Sequence, residues 1–381
     1  MLKKMLLLCL CLCLLITPAM AQDEEEEVSI TIFEPEATAE PEATEEEDPA
    51  ADPAAPVYEA DGSILLTMSF TGDVTIGSDP RKSSSIFDKE LNKQKGDIHF
   101  PFRNVKDIFL ADDLTMVNFE GTLTTAGVNP RKADYSFLFR ADPSFVDMLP
   151  AAGIETVSYE NNHADDMGDE GLAETKATLL SAGVTYASED EPCIMTVKGV
   201  TIGSLAYQGW KDRRETVLEK LPKDIQALRD QGCEIVIVSF HWGNEKDYSP
   251  TETQIMLGRA AVDAGADLVV GHHSHRINPI EYYNGVYICY SLGNFSFAGN
   301  SKPDDMATFI FQIRMRVKDG AASSESFRII PCRISSRTDY NDFAPTPYTK
   351  DANIEAVVKT LKQNGKKLEY AVEEYPLEFP Y

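Results

Sequence analysis

Polar and apolar positions along the chain fall into a recurring phrase: an amphipathic stretch, a glycine, then a run of apolar residues. It appears as "FVDMLPAAGIETVSY", "ETKATLLSAGVTYA", "IQALRDQGCEIVIVSF" and "AAVDAGADLVVG". Each amphipathic stretch predicts a helix and each apolar run a buried strand, with Gly153, Gly183, Gly232 and Gly265 placed where a helix ends in the left-handed conformation. Strands alternating with helices imply an α/β fold with crossover connections. After Tyr282 the texture changes to strand-like pieces, "GVYICYSLGNFSF", "ATFIFQIRMRV" and "SFRIIPCRI", with a turn at Asp319-Gly320. These pieces are expected to form a more antiparallel part of the sheets. One further helix is expected at 353–363.

The two ends differ from this body. The opening "MLKKMLLLCLCLCLLITPAMAQ" places two lysines, an apolar core and Ala19-Met20-Ala21 in the order of a secretory signal peptide. Cleavage is expected after Ala21, giving a secreted or cell-surface protein; an uncleaved N-terminal membrane anchor is the alternative. Residues 22–63 hold sixteen acidic residues and no lysine or arginine, with repeated Pro and Ala. That composition cannot offset the entropy of ordering, so a disordered tether is expected. The globular domain is then expected at 64–337 and a C-terminal extension at 338–381. Setting aside Lys3, Lys4 and the tether's acids leaves 33 basic against 46 acidic residues, a net charge of −13 for residues 64–381. Nucleic acid is a poor partner for such a surface, which offers little to neutralise phosphates. Cys193, Cys233, Cys289 and Cys332 lie in or beside apolar runs without zinc spacing and read as buried thiols.

The chemistry gathers where apolar runs stop. Asp73 follows "ILLTMSF"; Asn118 and Glu120 end "LTMVNFEG"; Asn161, Asn162, His163 and Asp166 follow "IETVSY". His241 and Glu245 follow "EIVIVSF", and "ADLVV" runs into His272, His273 and His275. Five of the six histidines therefore sit beyond strand ends, which is where α/β proteins bind ligands. Imidazoles with carboxylates and an amide oxygen, without thiolates, suit one or two divalent ions such as Mn, Fe, Zn or Mg. His273 and His275, one residue apart in a turn, are expected to face one centre. Asp166 and Glu245 also have ordinary readings as helix caps, Trp242 as packing, and His99 lies outside the set.

The motifs "FTGDVTIG", "VNFEGTLT", "NNHADDMGDEGL", "HWGNE" and "GADLVVGHHSHRINPIEYYNGVYICYSLGNFSF" resemble the bacterial capsule synthesis family of CapA type, associated with poly-gamma-glutamate. The resemblance spans about residues 66–300. That family is similar to the calcineurin-like metallophosphoesterases, which implies an α/β/β/α sandwich of two packed mixed sheets flanked by helices. By position, Asp73 resembles the early metal-binding aspartate, and Glu120, with Asn118 as second choice, stands in the bridging place. Asn162 would offer its amide oxygen, His163 would be the proton donor of the Asn-His pair, and His241, His273 and His275 would be ligands. His272 is an extra member, grouped with His163 and Asp73 as catalytic. Thr75 stands where the superfamily has a histidine, "VNFEG" replaces its Gly-Asp motif, and Ser274 stands where the family commonly carries proline.

The resemblance implies a metal-dependent hydrolase of capsule or poly-gamma-glutamate synthesis, acting through metal-activated water on a phosphoester or an amide of an acidic polymer. Asn118, Glu245, Arg140, Trp210 and Arg276 are candidates for substrate contact, as are Arg213 and Arg214. The expected partners are an acidic polymer or phosphorylated substrate and membrane-bound capsule synthesis proteins. The alternative is a non-catalytic polymer-binding component of capsule assembly or export. The leader reading has a direct check: N-terminal sequencing of the exported protein should return Gln22 first, and recovery of Met1 would overturn it.

Overall fold

The computed structural model describes residues 56–380 apart from Ser84. The leader and the first part of the tether, residues 22–55, lie outside the described residues. Strands and helices are numbered in chain order. The larger sheet runs β16 (Thr346–Pro347), β15 (Ala321–Arg333), β14 (Ala307–Lys318), β1 (Ile64–Thr75), β2 (Leu114–Phe119), β5 (Thr156–Ser158), β6 (Thr185–Ala187), and β13 (Asn294–Phe297) joins the end of β1. The second sheet runs β11 (Ile280–Tyr283), β12 (Val286–Cys289), β10 (Leu268–His272), β9 (Ile235–Trp242), β8 (Val200–Gly209), β7 (Cys193–Val197). A short ladder joins β3 (Thr122–Leu123) to β4 (Arg140–Ala141).

The strands are apolar on both faces because both faces are covered. In β9, Ile235 and Ile237 enter the layer between the sheets, whereas Val236, Val238 and Phe240 point outward to the helices α4 (Arg214–Asp230) and α5 (Glu252–Asp263). In β2, Leu114 and Met116 join Leu66, Met68 and Phe70 of β1 in that same inner layer. Val117 and Phe119 face the opposite way, among Phe87 of α1 (Ile86–Lys93), Phe109 of α2 (Lys106–Phe109) and Leu179 of α3 (Gly168–Ser181). Period-two alternation on both sheets thus produces four layers, α/β/β/α, as expected.

Several local expectations need correction. "FVDML" is not an α-helix but a 3-10 turn, Pro143–Met148, followed by a second at Pro150–Ala152. Pro150 has no N–H to give to the carbonyl one turn back, so the α-helical bond pattern is interrupted there. The segment after Tyr282 is less antiparallel than expected. The strands β14 and β15 pair antiparallel across the Asp319-Gly320 turn, where both residues have positive φ. The strand β12, however, runs parallel to β10, and β13 parallel to β1, so the chain crosses from one sheet to the other between them. The last eight residues of the expected tether, 56–63, are ordered: Gly62 N–H donates to Glu59 O at 2.9 Å and Asp61 lies 3.4 Å from Lys318.

Residues beyond 337 are built into the body. β16 extends the larger sheet, and α6 (Asp351–Gly365) contributes Val357 and Leu361 to the layer between the sheets. Tyr375 enters the same layer at 5% exposure, its hydroxyl accepting from Ile280 N–H at 3.2 Å. The four body cysteines are free and buried. No helix among the described residues is long and apolar enough to cross a membrane. Truncating Tyr375 to alanine should cost about 3 kcal/mol through cavity formation and loss of the Ile280 bond. Urea unfolding measures this, and a loss under about 1 kcal/mol would show that the tail adds little to the core.

Candidate metal centre

Strand register explains how residues two hundred positions apart meet. In the larger sheet Asp73 lies beside Asn294 of β13 on one side and Asn118 of β2 on the other. In the second sheet His241 of β9 lies beside His272 of β10 and Gln208 of β8. Asp73, Asn118, His241, His272 and Gln208 lie at or near the carboxyl ends of their strands, whereas Asn294 opens β13, and the two sheets bring the rows face to face. Two glycines permit the approach. A Cβ on Gly72 would fall 1.8 Å from Gly293 O, where Asp73 N–H donates to Gly293 O at 2.9 Å. A Cβ on Gly271 would fall 2.2 Å from Tyr290 O.

The turn after β10 is bent by two non-glycine residues at positive φ, His273 at 90° and His275 at 53°. Ser274 staples it, its hydroxyl donating to Arg276 O at 2.9 Å. The consequence corrects the expectation of a single centre. His273 Nδ1 approaches His241 Nε2 at 3.1 Å, while His275 Nδ1 approaches Asp73 Oδ2 at 3.2 Å and Asn294 Oδ1 at 2.8 Å. The two imidazoles diverge to two sets of donor atoms. One set is Glu120, His241 and His273; the other is Asp73, Glu120 and His275; within each, the candidate ligand atoms lie within 4.8 Å of one another. Glu120 belongs to both. Asn162 Oδ1, 2.6 Å from His241 Nε2, adds an amide oxygen to the first set.

The donor set fits divalent ions. Glu120 is 1% exposed, and its Oε2 has no hydrogen-bond partner among the described residues; nor do His272 Nδ1 and Thr75 Oγ1. Buried unpaired carboxylate oxygens are expensive, and a cation at this place would compensate them. Electrostatics agree. Burial, and then the neighbouring Asp73 charge, push the Glu120 carboxyl well above its usual range. Burial opposes ionisation of Asp73 as well, but the His275 bond prevails and holds its pKa low. His275 loses by burial and gains more from the Asp73 bond and the Glu120 charge, so it is raised to about 9. Burial takes His272 and His273 down to about 4, with the His275 charge adding to the second. His241 is depressed by burial and by the imidazoles around it.

His163 occupies the expected place beside this cluster. Its Nδ1 bonds Asp166 Oδ2 at 2.8 Å, which leaves Nε2 facing Glu120 Oε1 at 4.0 Å. The ring stands edge-on to Phe139, centroids 4.7 Å apart. Asp166 therefore orients an imidazole rather than capping α3, whose N-cap is Met167 without a side-chain bond. Trp210 packs against the cluster: its ring meets His273 edge-on at 4.6 Å, and its indole N–H donates to Gln208 at 2.8 Å.

Other expected roles do not survive. His272 is closed from solvent at 2% exposure, with Nδ1 3.6 Å from Asp73 Oδ1, and it belongs to neither donor set. It stands beside Asp73 without a hydrogen bond to it. Asn118 is fully buried; its amide donates to Asp73 Oδ1 at 2.8 Å, so it fixes a ligand and cannot reach substrate. Arg276 spends its guanidinium on His275 O and on Asp304, both at 2.9 Å, bracing the turn. Arg140 bonds Ala126 O and lines a separate cavity with Gly77, Ser78 and Thr124. Arg213 and Arg214 pair with Glu189 and Glu215. Glu245 is exposed near the cluster and does not cap α5, which has a Thr251–Gln254 capping box. Trp242 is packing, stacked on Phe240 at 4.3 Å. Asn294 was missed, although it lies in the quoted "SLGNFSF": an asparagine opening a strand carries no signal until its neighbour is known. Lys132 was also missed, sitting in a loop between motifs.

The family model described as bacterial capsule synthesis protein PGA_cap matches residues 67–298. The PGA biosynthesis protein CapA of Bacillus subtilis (strain 168) is 32% identical over 307 residues, covering 76% of this chain and 75% of that protein. The capsule biosynthesis protein CapA of Bacillus anthracis is 27% identical over 325 residues, covering 79% and 74%. Among solved structures, the calcineurin-like phosphoesterase YfkN from Bacillus subtilis aligns with a TM-score of 0.45 and 13% identity, covering 80% of this chain and 100% of that one. By its match through every strand that carries the centre, this chain belongs to the bacterial capsule synthesis protein family PGA_cap.

Proposed function

We propose that the chain is a metal-dependent hydrolase of capsule polymer synthesis or processing, working outside the cell on a phosphoester or an amide of an acidic polymer. The observation that carries this reading is Glu120, shared by two donor sets and left with an unpartnered buried oxygen. Asp73, Glu120 and His275 would hold one divalent ion, and Glu120, Asn162, His241 and His273 the other. Bound in this way, divalent ions lower the pKa of water and polarise a substrate oxygen.

The chain's own part is proton control and exclusion of water. Asn294 and Asp73 both accept from His275 Nδ1, so Nε2 is the nitrogen left for an ion. Asp166 accepts from His163 Nδ1 and directs Nε2 toward the cluster, where a proton can pass to a leaving group. Trp210 and Phe139 pack edge-on against His273 and His163 and put apolar rings beside the two imidazoles. Relatives named for PGA and capsule biosynthesis support an acidic polymer as substrate; membrane-bound synthesis proteins as partners are part of the same proposal. One feature favours the alternative, a polymer-binding component without turnover: Thr75 supplies only a hydroxyl beside Asp73, where a stronger ligand would complete the set of Asp73, Glu120 and His275.

Two outcomes follow. His163→Ala should lower turnover of a phosphoester or polyglutamate by roughly 10² to 10⁴-fold with metal content unchanged, whereas His275→Ala should lose metal. Equal metal loss in both variants would remove the proton-donor role. Metal uptake should also depend on pH in a stated direction. In the metal-free protein His275 is protonated up to about pH 9, so an ion must displace that proton. Affinity should therefore rise by about tenfold per unit as pH increases toward 9, and fall as pH drops. Calorimetric titration at several pH values measures this, and a pH-independent affinity would exclude His275 as a ligand.

A further inference from the structure

Lys132 lies in the loop between β3 and β4, in a 3-10 turn spanning Pro130–Lys132. It is 7% exposed, an unusual place for a residue type that is rarely buried unless paired. Its ammonium has three hydrogens and three acceptors: Asn162 O at 2.6 Å, Asp166 Oδ1 at 3.0 Å, and the Asp165 carboxylate. All three acceptors belong to the turn that carries Asn162 and His163. Asn129 grips that turn too, its amide donating to Asp165 O at 2.9 Å and its backbone N–H to Asp166 O at 2.9 Å.

We propose that Lys132 is a positioning residue, whose ammonium sets the Asn162-His163 pair for metal and substrate. The inference rests on the metal reading. By holding the Asn162 carbonyl, Lys132 fixes the peptide from which the Asn162 amide reaches His241 at 2.6 Å. By holding Asp166 Oδ1 it leaves Oδ2 for His163 Nδ1 and the Phe139 N–H, each at 2.8 Å. Replacing one partner of a buried ion pair by an apolar residue strands the charge of the other. Here that replacement would leave two carboxylates, Asp165 and Asp166, without their shared cation beneath the pair. The turn would then relax and withdraw the Asn162 amide. Lys132 forms no bond to Asp73, Glu120 or His275, so the effect should fall on one donor set only.

Cobalt titration of the full chain, followed by visible absorption, separates the two binding events. In Lys132→Met one event should weaken by about 10 to 100-fold while the other stays within about twofold. In Lys132→Ala, propylammonium, which replaces the deleted stem and ammonium, should restore much of the weakened event; washing it out should abolish the restoration. This second arm also serves if Lys132→Met fails to fold. Two wild-type-like events in Lys132→Met would overturn the proposal, as would equal weakening of both events without amine rescue. A wild-type chain that takes up no cobalt would instead overturn the metal reading, and this inference with it.

Discussion

A carboxylate shut between two sheets is the constraint on which the rest of the molecule turns. Glu120 is nearly inaccessible, stands beside a second buried carboxylate, Asp73, and lies 3.7 Å from the His241 ring nitrogen. Such an arrangement is costly in an apolar interior unless positive charge answers it. Without an ion the answer is incomplete: the Asp73 bond raises His275 to about 9, and burial pushes the Glu120 carboxyl well above its usual range. Burial holds His241, His272 and His273 below the usual imidazole range, which keeps their lone pairs available. The site is therefore arranged for cations that the side chains alone do not supply.

The fold is what makes that crowding possible. Two sheets packed through one apolar layer deliver strand ends from both sides, and those ends and the turns just beyond them carry the donor atoms. Glycines at 72 and 271 remove the side chains that would hold the backbones apart. Left-handed φ at His273 and His275 then divides one short turn between two donor sets, so that strain is placed where it separates function. The turn after β5 is held from outside by Lys132 and Asn129, and the turn after β10 by Arg276. Rigid support of ligands by their neighbours is what metal affinity commonly depends on.

Much of this was legible in the sequence because hydrophobic periodicity marks strands and strand ends mark sites. Asp73, Glu120, Asn162, His241, His273 and His275 stand out in the sequence as polar residues beyond strand ends, and the fold brings them together; the helix-ending glycines have the positive φ expected of them. What was not legible depends on pairing. Whether Asn118 meets substrate or fixes Asp73 is decided by which strand lies beside it. An arginine written next to a histidine, as Arg276 is, looks free until Asp304 folds back onto it. Asn294 and Lys132 show the converse, since neither residue type announces a role and each acquires one from a partner distant in sequence. The crossing between sheets after Cys289 was likewise invisible, because β12 and β13 read as one apolar run.

The central claim is that Glu120 bridges two cation positions, and crystals grown with manganese test it most directly. Anomalous scattering should show two peaks about 3.5 to 4 Å apart, one on each side of Glu120. One should lie by Asp73 and His275, the other by Asn162, His241 and His273. An absence of anomalous density at saturating manganese, or a single peak that leaves Glu120 uncoordinated, would contradict the account.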